Sequence, residues 1–426
     1  MKFCTRCLYP ENHPLGLIFD ADGVCSGCRI HEEKDELDWD LRFARLRSIT
    51  DAYRSRNNRQ YDCIVPVSGA RDSWFIVDTI RRKLKLNPLL VSYNTHYMVD
   101  RGHRNMSYLR TVFDLDCHTM ILGKESLRRI TEKTIDKLGS IYWNCLAGHS
   151  VFPVQMAVRH QIPLIIWGAH QGLDQVGMFS HTDEVEMTRK YRKDHDLMGV
   201  EAEDLVNEAD GLPERMLAPL FYPNDHELHQ VGVRGIYLGN YIRWDSKAQH
   251  EEMIQRHGFE TGAQKRTFDH YNHVDCAFYS GLHDYIKLLK HGYGKVSDHA
   301  SREIRLRRMT REQGISQVAK YQDIVPDDSA IFARWLGISE PSLMQELEEH
   351  RNQSLWSSSV GGAWNLHESA ITASAPDNLD EQRLKTSGDD WQFPIRQSRN
   401  PDIAETEPSI LQRGYVDGQK APSWDR

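Results

Sequence analysis

The chain has 426 residues, 39% of them hydrophobic and 27% charged, and a formal net charge of -8. Such a length builds a large core with an accessory module, and the composition is that of a globular protein rather than a fibre or a disordered chain. No apolar run approaches the ~20 residues that span a bilayer. The N-terminal MKFCTRCLYP lacks the apolar core of an export signal, so a cytoplasmic protein without a membrane partner is expected. The acidic balance argues against nucleic acid as a partner.

Eight cysteines in a chain of this kind are reduced thiols or metal ligands. Cys4-x-x-Cys7 and Cys25-x-x-Cys28, with seventeen residues between the pairs, have the spacing of a four-thiolate zinc ribbon, and Gly23 and Gly27 stand at the turns. A ribbon over residues 1–35 is expected. Its Zn²⁺ is structural, because four protein ligands close the tetrahedron. Gly23-Val24-Cys25-Ser26-Gly27 formally fits a glutaminase nucleophile turn with His31-Glu32-Glu33 as its partner. The stretch before it is short and acidic rather than a buried strand, and Cys25 is accounted for by Cys28. A charged amphipathic helix is predicted over 32–53, with Leu37, Trp39, Leu41, Leu46 and Ile49 inward.

Apolar strand-like runs follow at 63–67, 88–93, 117–122 and 163–167, separated by helical patterns at 72–84, 102–113, 124–138 and 150–160. Short strands apolar on both faces, joined by helices, predict an α/β fold with a doubly wound parallel sheet. Ligands then sit beyond the carboxyl ends of the strands, which gathers the loops 68–73, 94–100 and 168–174 around one crevice. A second mixed stretch is expected from Ile236, followed by helices to about residue 350, one of them opened by a Thr310–Gln313 capping box. Residues 331–356 are expected to be C-terminal helices, and 357–426, rich in Ser, Asp, Pro and Gly, a disordered or loosely docked tail.

The first of those loops carries the chemistry. Ser68-Gly69-Ala70-Arg71-Asp72-Ser73 joins a strand to a helix, and such a turn aims unpaired N–H groups and the positive end of a helix dipole at one point. The six residues resemble the S-G-G-x-D-S loop of the ATP pyrophosphatases, which cleave ATP between its α and β phosphates. Ala70 stands where that family usually has glycine and Arg71 where lysine is common. If position 70 has a positive φ, Ala70 bears a steric cost, and the fork of Arg71 is not equivalent to an ammonium.

From Cys4 to about Tyr321 the chain resembles the N-acetyl sugar amidotransferases of bacterial surface-polysaccharide biosynthesis, ATP pyrophosphatase relatives with an N-terminal zinc ribbon. The resemblance rests on CTRC and CSGC, on PVSGARDS, and on NPLLVSYN, IPLIIWG, TRKYRKDHDLMG, IYLGNYIRWDSK and HGYGKVSDHASREIRLRRMTRE. It implies an adenine nucleotide alpha hydrolase-like sheet within a catalytic unit over 36–330. It also implies ATP and Mg²⁺ as cofactors, a nucleotide-linked N-acetyl sugar as substrate, and ammonia from glutaminase and cyclase-like partner subunits. The reaction converts the N-acetyl group to an acetamidino group. Ser68, Arg71, Asp72 and Ser73 are the implied catalytic residues, with Gly69, Ala70, Ser92, Asn94 and Gly168 joining them around ATP. Arg192, His195, Lys295, Asp298 and Arg302 are the implied substrate contacts. Asp298, Arg302 and Arg305 recur at steps of four and three and so share a helix face.

Two other readings compete. A tRNA thiolation enzyme or other adenylating ligase also combines knuckles with this loop, but sulfur transfer uses a pair of reactive thiols and the chain offers Cys145, which reads as a small buried hydrophobe. A weakly active scaffold of an amidotransferase complex is the other. The histidines show no spacing diagnostic of a catalytic metal and are assigned mostly to surface or core.

Overall fold

Short apolar runs alternating with helices fold into a parallel sheet. β1 (Cys63–Pro66), β2 (Pro88–Asn94), β3 (Cys117–Ile121), β4 (Leu164–Trp167) and β5 (Arg234–Tyr237) lie in the order β3-β2-β1-β4-β5, each neighbouring pair parallel. The computed structural model describes residues 1–55, 60–94, 98–269, 277–359 and 362–373. The second mixed stretch expected from Ile236 begins as the edge strand of this same sheet, with Ile166 of β4 opposite Ile236.

Successive strand residues point to opposite faces, so each face has its own core. Val65, Leu90, Leu164 and Ile166 pack against Trp74 and Val77 of α3 (Arg71–Asp78), Leu109 of α4 (Asp100–Phe113) and Met253 of α12 (Ser246–His257). Ile64, Leu89, Val91 and Ile165 pack on the other side against Val151, Val154 and Ala157 of α6 (Trp143–His160), which begins earlier than the expected 150. The sheet is doubly wound, and its strand order reverses between β1 and β4, which opens a crevice beyond their carboxyl ends.

The helix expected over 32–53 is two, α1 (Ser26–Glu36) and α2 (Trp39–Ala52). Leu37 is extended, and the Asp38 carboxylate caps α2 by accepting from the Leu41 N–H at 3.0 Å. That restart resets the helical phase, so Leu46 is buried as expected while Leu41 is 69% exposed.

α5 (Lys124–Leu138) precedes α6, and the short helices α7 (Gln171–Asp174), α8 (Arg189–Tyr191), α9 (Ala202–Val206), α10 (Glu214–Leu217) and α11 (Asp225–Val231) link β4 to β5 and α12. Beyond α12 lie α13 (Ser280–His291), α14 (Lys295–Arg305), α15 (Arg311–Tyr321), α16 (Ser329–Leu336) and α17 (Glu340–Glu348). Leu282, Phe332 and Leu343 join Leu127 and Ile135 of α5 in one cluster. Thr310 and Gln313 form the expected capping box. A hairpin, Trp356–Ser358 with Trp364–Leu366, docks on the end of α13 through Trp356 Nε1, which donates to the Leu289 carbonyl at 3.1 Å. The rest of the expected tail, 374–426, lies outside the described residues. Among the described residues no helix is long and apolar enough to cross a membrane.

Candidate active site

The loop after β1 turns through Gly69, whose φ is +77°. A Cβ there would lie 3.0 Å from Met106 Cβ and 3.2 Å from the Gly102 carbonyl oxygen, so glycine is demanded by both conformation and space. Ala70 has φ -74° and ψ 173°, extended backbone open to any L residue, so the steric cost expected at this position is absent. Ala70→Gly is therefore expected to leave ATP turnover unchanged and to lower stability by up to about 1 kcal/mol through unfolded-chain entropy. Paired turnover assays and urea melts check this, and faster turnover would mean the alanine does reshape the loop. The two serine hydroxyls brace the turn: Ser73 Oγ accepts from the Ser68 N–H at 3.0 Å and Ser68 Oγ from the Ala70 N–H at 3.4 Å.

The N-terminus of α3 opens on a cavity of about 470 Å³ at the switch point. Arg71 and Asp72 line it from the loop, Asp174 and Gln175 from the end of α7, and Lys295, Asp298, Arg302 and Arg305 from α14. The steps of four and three thus put α14's charged face where the helical pattern predicts. Tyr9, His31 and Lys34 complete a wall from the N-terminal module. Six basic and four acidic side chains surround this space, a balance that favours an anionic ligand.

Asp269 organises the loop's arginine. Fully buried, it lies 3.5 Å from Arg71 NH1 and accepts from Arg302 NH2 at 2.9 Å, tying the loop to α14. Asp72 sits 3.4 Å from Arg71 Nε and 3.4 Å from His250 Nε2. Burial works to raise its pKa, but Arg71 and His250 outweigh it and hold the carboxyl below the usual range, so it is ionised at neutral pH. His250 itself is held down to about 4 by burial and then by Arg71, against the pull of Asp72.

His170, on the other side of the β4 end, is also held down to about 4, by burial and His195. Both histidines are neutral in the folded protein and return to about 6.5 on unfolding, so below that pH the unfolded chain binds more protons. Their contribution is full above about pH 6.5 and is lost as pH falls toward 4, about 3 kcal/mol for each such shift. The urea midpoint is expected to drop steeply over that interval, and a flat profile would show that these rings take up protons in the fold as readily as in the unfolded chain.

The four ribbon cysteines are buried, with ligand atoms all within 4.8 Å of one another. Sγ of Cys4 and Cys28 are 3.9 Å apart and those of Cys7 and Cys25 3.6 Å, too far for disulfides. A tetrahedron with metal–sulfur bonds of about 2.3 Å needs roughly 3.8 Å. The N–H groups of Arg6, Cys7 and Cys25 point at Cys4 Sγ at 3.4, 3.4 and 3.3 Å, as a charged thiolate requires. The donor set fits a tetrahedral metal ion. Gly23 turns with φ +73°, whereas Gly27 lies inside α1 and serves a close approach rather than a turn.

Ser92, Gly168, Arg192 and His195 are not among the residues lining the cavity at the switch point. Ser92 is buried within β2, and Gly168 packs beneath Ile76 and Trp244. Asn94 closes β2, its side chain and residues 95–97 lying outside the described residues. Arg192 is absorbed by structure: its NH1 donates to Glu201 at 3.1 Å and its Nε to Ser150 Oγ at 2.7 Å. It and the ring of His195, 4.6 Å from that of Tyr191, belong to a separate region beside β5. Sequence reasoning missed Asp269, Lys34 and Tyr9, and gave no role to His283 and His299, which line the main cavity.

A doubly wound parallel sheet with a Ser-Gly-x-x-Asp-Ser loop at its switch point is the arrangement that the resemblance to the ATP pyrophosphatases implies. Residues 265–370 match the family model "LPS biosynthesis protein WbpG-like, C-terminal domain", which supports the family that the sequence resembles. That segment contains Asp269, α13 and α14. Among solved structures, NMN synthetase from Francisella tularensis is similar over 51% of this chain and 95% of its own, at 12% identity and a TM-score of 0.26. None of the curated proteins matches the chain.

Proposed function

We propose that the chain is an ATP-dependent, AMP-forming amidotransferase of surface-glycan biosynthesis, which turns the N-acetyl group of a nucleotide-linked sugar into an acetamidino group. One arrangement carries this reading: Arg71 and Asp72 of the phosphate loop share a basic cavity with Lys295, Asp298 and Arg302, inside a segment that matches a lipopolysaccharide-biosynthesis family.

An amide carbonyl is a poor electrophile. Its oxygen attacks the α-phosphorus of ATP, pyrophosphate leaves, and the carbon becomes an adenylated imidate. Ammonia adds to that carbon, AMP departs with the former carbonyl oxygen, and loss of a proton gives the amidine. Charge collects on the phosphates throughout, so the protein's task is positioning and electrostatic stabilisation rather than nucleophilic attack. The N-terminal N–H groups of α3 and the Arg71 guanidinium hold the departing pyrophosphate. Asp72, an ionised oxygen donor in the cavity, would hold Mg²⁺, which supplies further charge neutralisation. Lys295 and Arg302 take the diphosphate of the sugar nucleotide. Zn²⁺ in the thiolate site is structural. Ammonia comes from glutaminase and cyclase-like partners, and both nucleotide substrates place the reaction in the cytoplasm. Cys145, the thiol a sulfur-transfer reaction would use, is buried in the apolar cluster with Phe278 and Tyr279.

The test is turnover by the purified protein with ATP, an ammonium salt and a panel of UDP-N-acetyl sugars. AMP, pyrophosphate and a sugar with oxygen exchanged for NH are expected together. AMP formation with every sugar unchanged would overturn the amidotransferase reading and direct attention to tRNA. Absence of any AMP would favour the scaffold.

A further inference from the structure

A second cavity, of about 190 Å³, lies between the carboxyl ends of β4 and β5 and the first half of α6, and it shares Ala169 and Gln171 with the main one. Its walls are rings: Trp167, His170, Tyr191 and Tyr237 line it. The His170 ring lies 4.3 Å from that of Tyr191 and 4.6 Å from that of Tyr237. His170 is 3% exposed, yet both its ring nitrogens are buried without a hydrogen-bond partner, as is Trp167 Nε1. Buried polar atoms are nearly always bonded, so orphans gathered in one cavity point to an occupant that bonds them.

The electrostatics define that occupant's chemistry. Burial pushes the Tyr191 and Tyr237 phenols upward and His170 down to about 4, so these groups are neutral at pH 7. Arg192, the guanidinium lining this cavity among the described residues, is spent on Glu201 and Ser150. Asp196 adds a carboxyl pushed up to about 6 by burial. A phosphate finds no unneutralised cation here and meets an acid, whereas a flat neutral ring with donors and acceptors on its edge finds aromatic faces and an imidazole able to donate from one nitrogen and accept at the other.

Given the reaction proposed above, on which this inference rests, we propose that the β4–β5 cavity binds the base of the nucleotide-linked sugar, stacked among Trp167, His170, Tyr191 and Tyr237, while its phosphates extend past Ala169 and Gln171 into the basic main cavity. The phosphate loop delivers α3 to the opposite face of the sheet from α6, so the two nucleotides approach the crevice from different sides.

Calorimetric titration of the full chain with UMP, CMP and GMP, each in the presence of saturating ATP, tests this, together with His170→Phe and Trp167→Phe, which keep a ring and remove the bonding nitrogen. At least one nucleotide is expected to bind beside ATP, to weaken about tenfold or more in either variant, and to leave ATP affinity unchanged. Thermal melts establish that both variants fold. Equal nucleotide affinity in wild type and variants would overturn the assignment. Loss of ATP binding instead would mean that the cavity holds adenine, and loss of binding to free N-acetylglucosamine that it holds the sugar; either overturns it. If sugar nucleotides are amidinated with an unchanged KM in His170→Phe, the site fails and the reaction stands; if the bases bind as expected but no amidination occurs, the reaction fails and the site stands.

Discussion

Replacing Asp72 by alanine is expected to lower ATP-dependent pyrophosphate release by about 10²–10³-fold, the loss typical of removing one preorganised charged group from a phosphoryl-transfer site. The carboxylate is ionised because Arg71 and His250 flank it, and it lines the cavity at the first turn of α3. In the alanine variant Arg71 keeps its contact with Asp269, so the arginine stays near its place while the local charge becomes more positive. Affinity for the triphosphate is therefore expected to hold or rise while the rate falls. Asp72→Asn separates the charge from the shape: it retains the size, loses the anion, and should be nearly as slow. Metal content of the ribbon should not change, because Asp72 touches none of its four cysteines. The measurement is pyrophosphate release under single-turnover conditions, with bound ATP determined separately. A rate within threefold of wild type, at about the threshold of a single ordinary hydrogen bond, would remove Asp72 from the reaction.

How much of this was legible in the sequence depends on how local each signal is. The sheet could be read because its strands are short apolar runs with helical spacers, and β1 to β4 fall within a residue of where the runs predict. The ribbon could be read because metal spacing is a covalent property of the chain. The charged face of α14 could be read from its period. Asp269 could not: it is one acid in a segment without periodicity, and its importance comes from being buried between Arg71 and Arg302, which are remote in sequence. Arg192 is hard to read for the complementary reason. A cluster of basic residues looks like an anion site until Glu201, nine positions on, is seen to neutralise it inside the protein. Ala70 was suspect only while the positive φ was unplaced; the structure puts it at Gly69. Lys34 and Tyr9 reach the cavity because the N-terminal module docks on the β4 loop, and no spacing within the module announces that.

That docking makes a second large effect predictable: stripping the metal from the four-cysteine site is expected to loosen the wall of the substrate cavity. Arg305 joins the two. Its NH2 lies 3.5 Å from Cys25 Sγ and 3.9 Å from Cys7 Sγ, and its NH1 donates to the carbonyl of Gln175 at 2.6 Å, with the guanidinium 5.1 Å over the Tyr9 ring. Around it, Ser26 Oγ donates to the Val176 carbonyl at 2.6 Å, Gln175 Nε2 to Tyr9 at 3.0 Å, and Lys34 pairs with Asp174. A metal holding the thiolates thereby holds Arg305, and Arg305 holds Asp174 and Gln175. Structural zinc contributes about 10–16 kcal/mol to the folding of small ribbon peptides, so the N-terminal module should unfold without it. Amide exchange over 171–178 should then rise by about tenfold or more, while β1 and α6 stay protected. Arg305→Lys should keep the metal, since the charge remains, but give part of the same exchange increase, because an ammonium cannot span two thiolates and a carbonyl at once. Gly27→Ala reaches the same joint from the other side: its Cβ would lie 2.4 Å from Arg305 NH2 and 2.6 Å from the Gln175 carbonyl oxygen, so a cost of about 1–3 kcal/mol is expected, focused on this loop. Exchange in 171–178 that is the same with and without metal would show that the ribbon is only an appendage, and that the cavity wall stands on α14 alone.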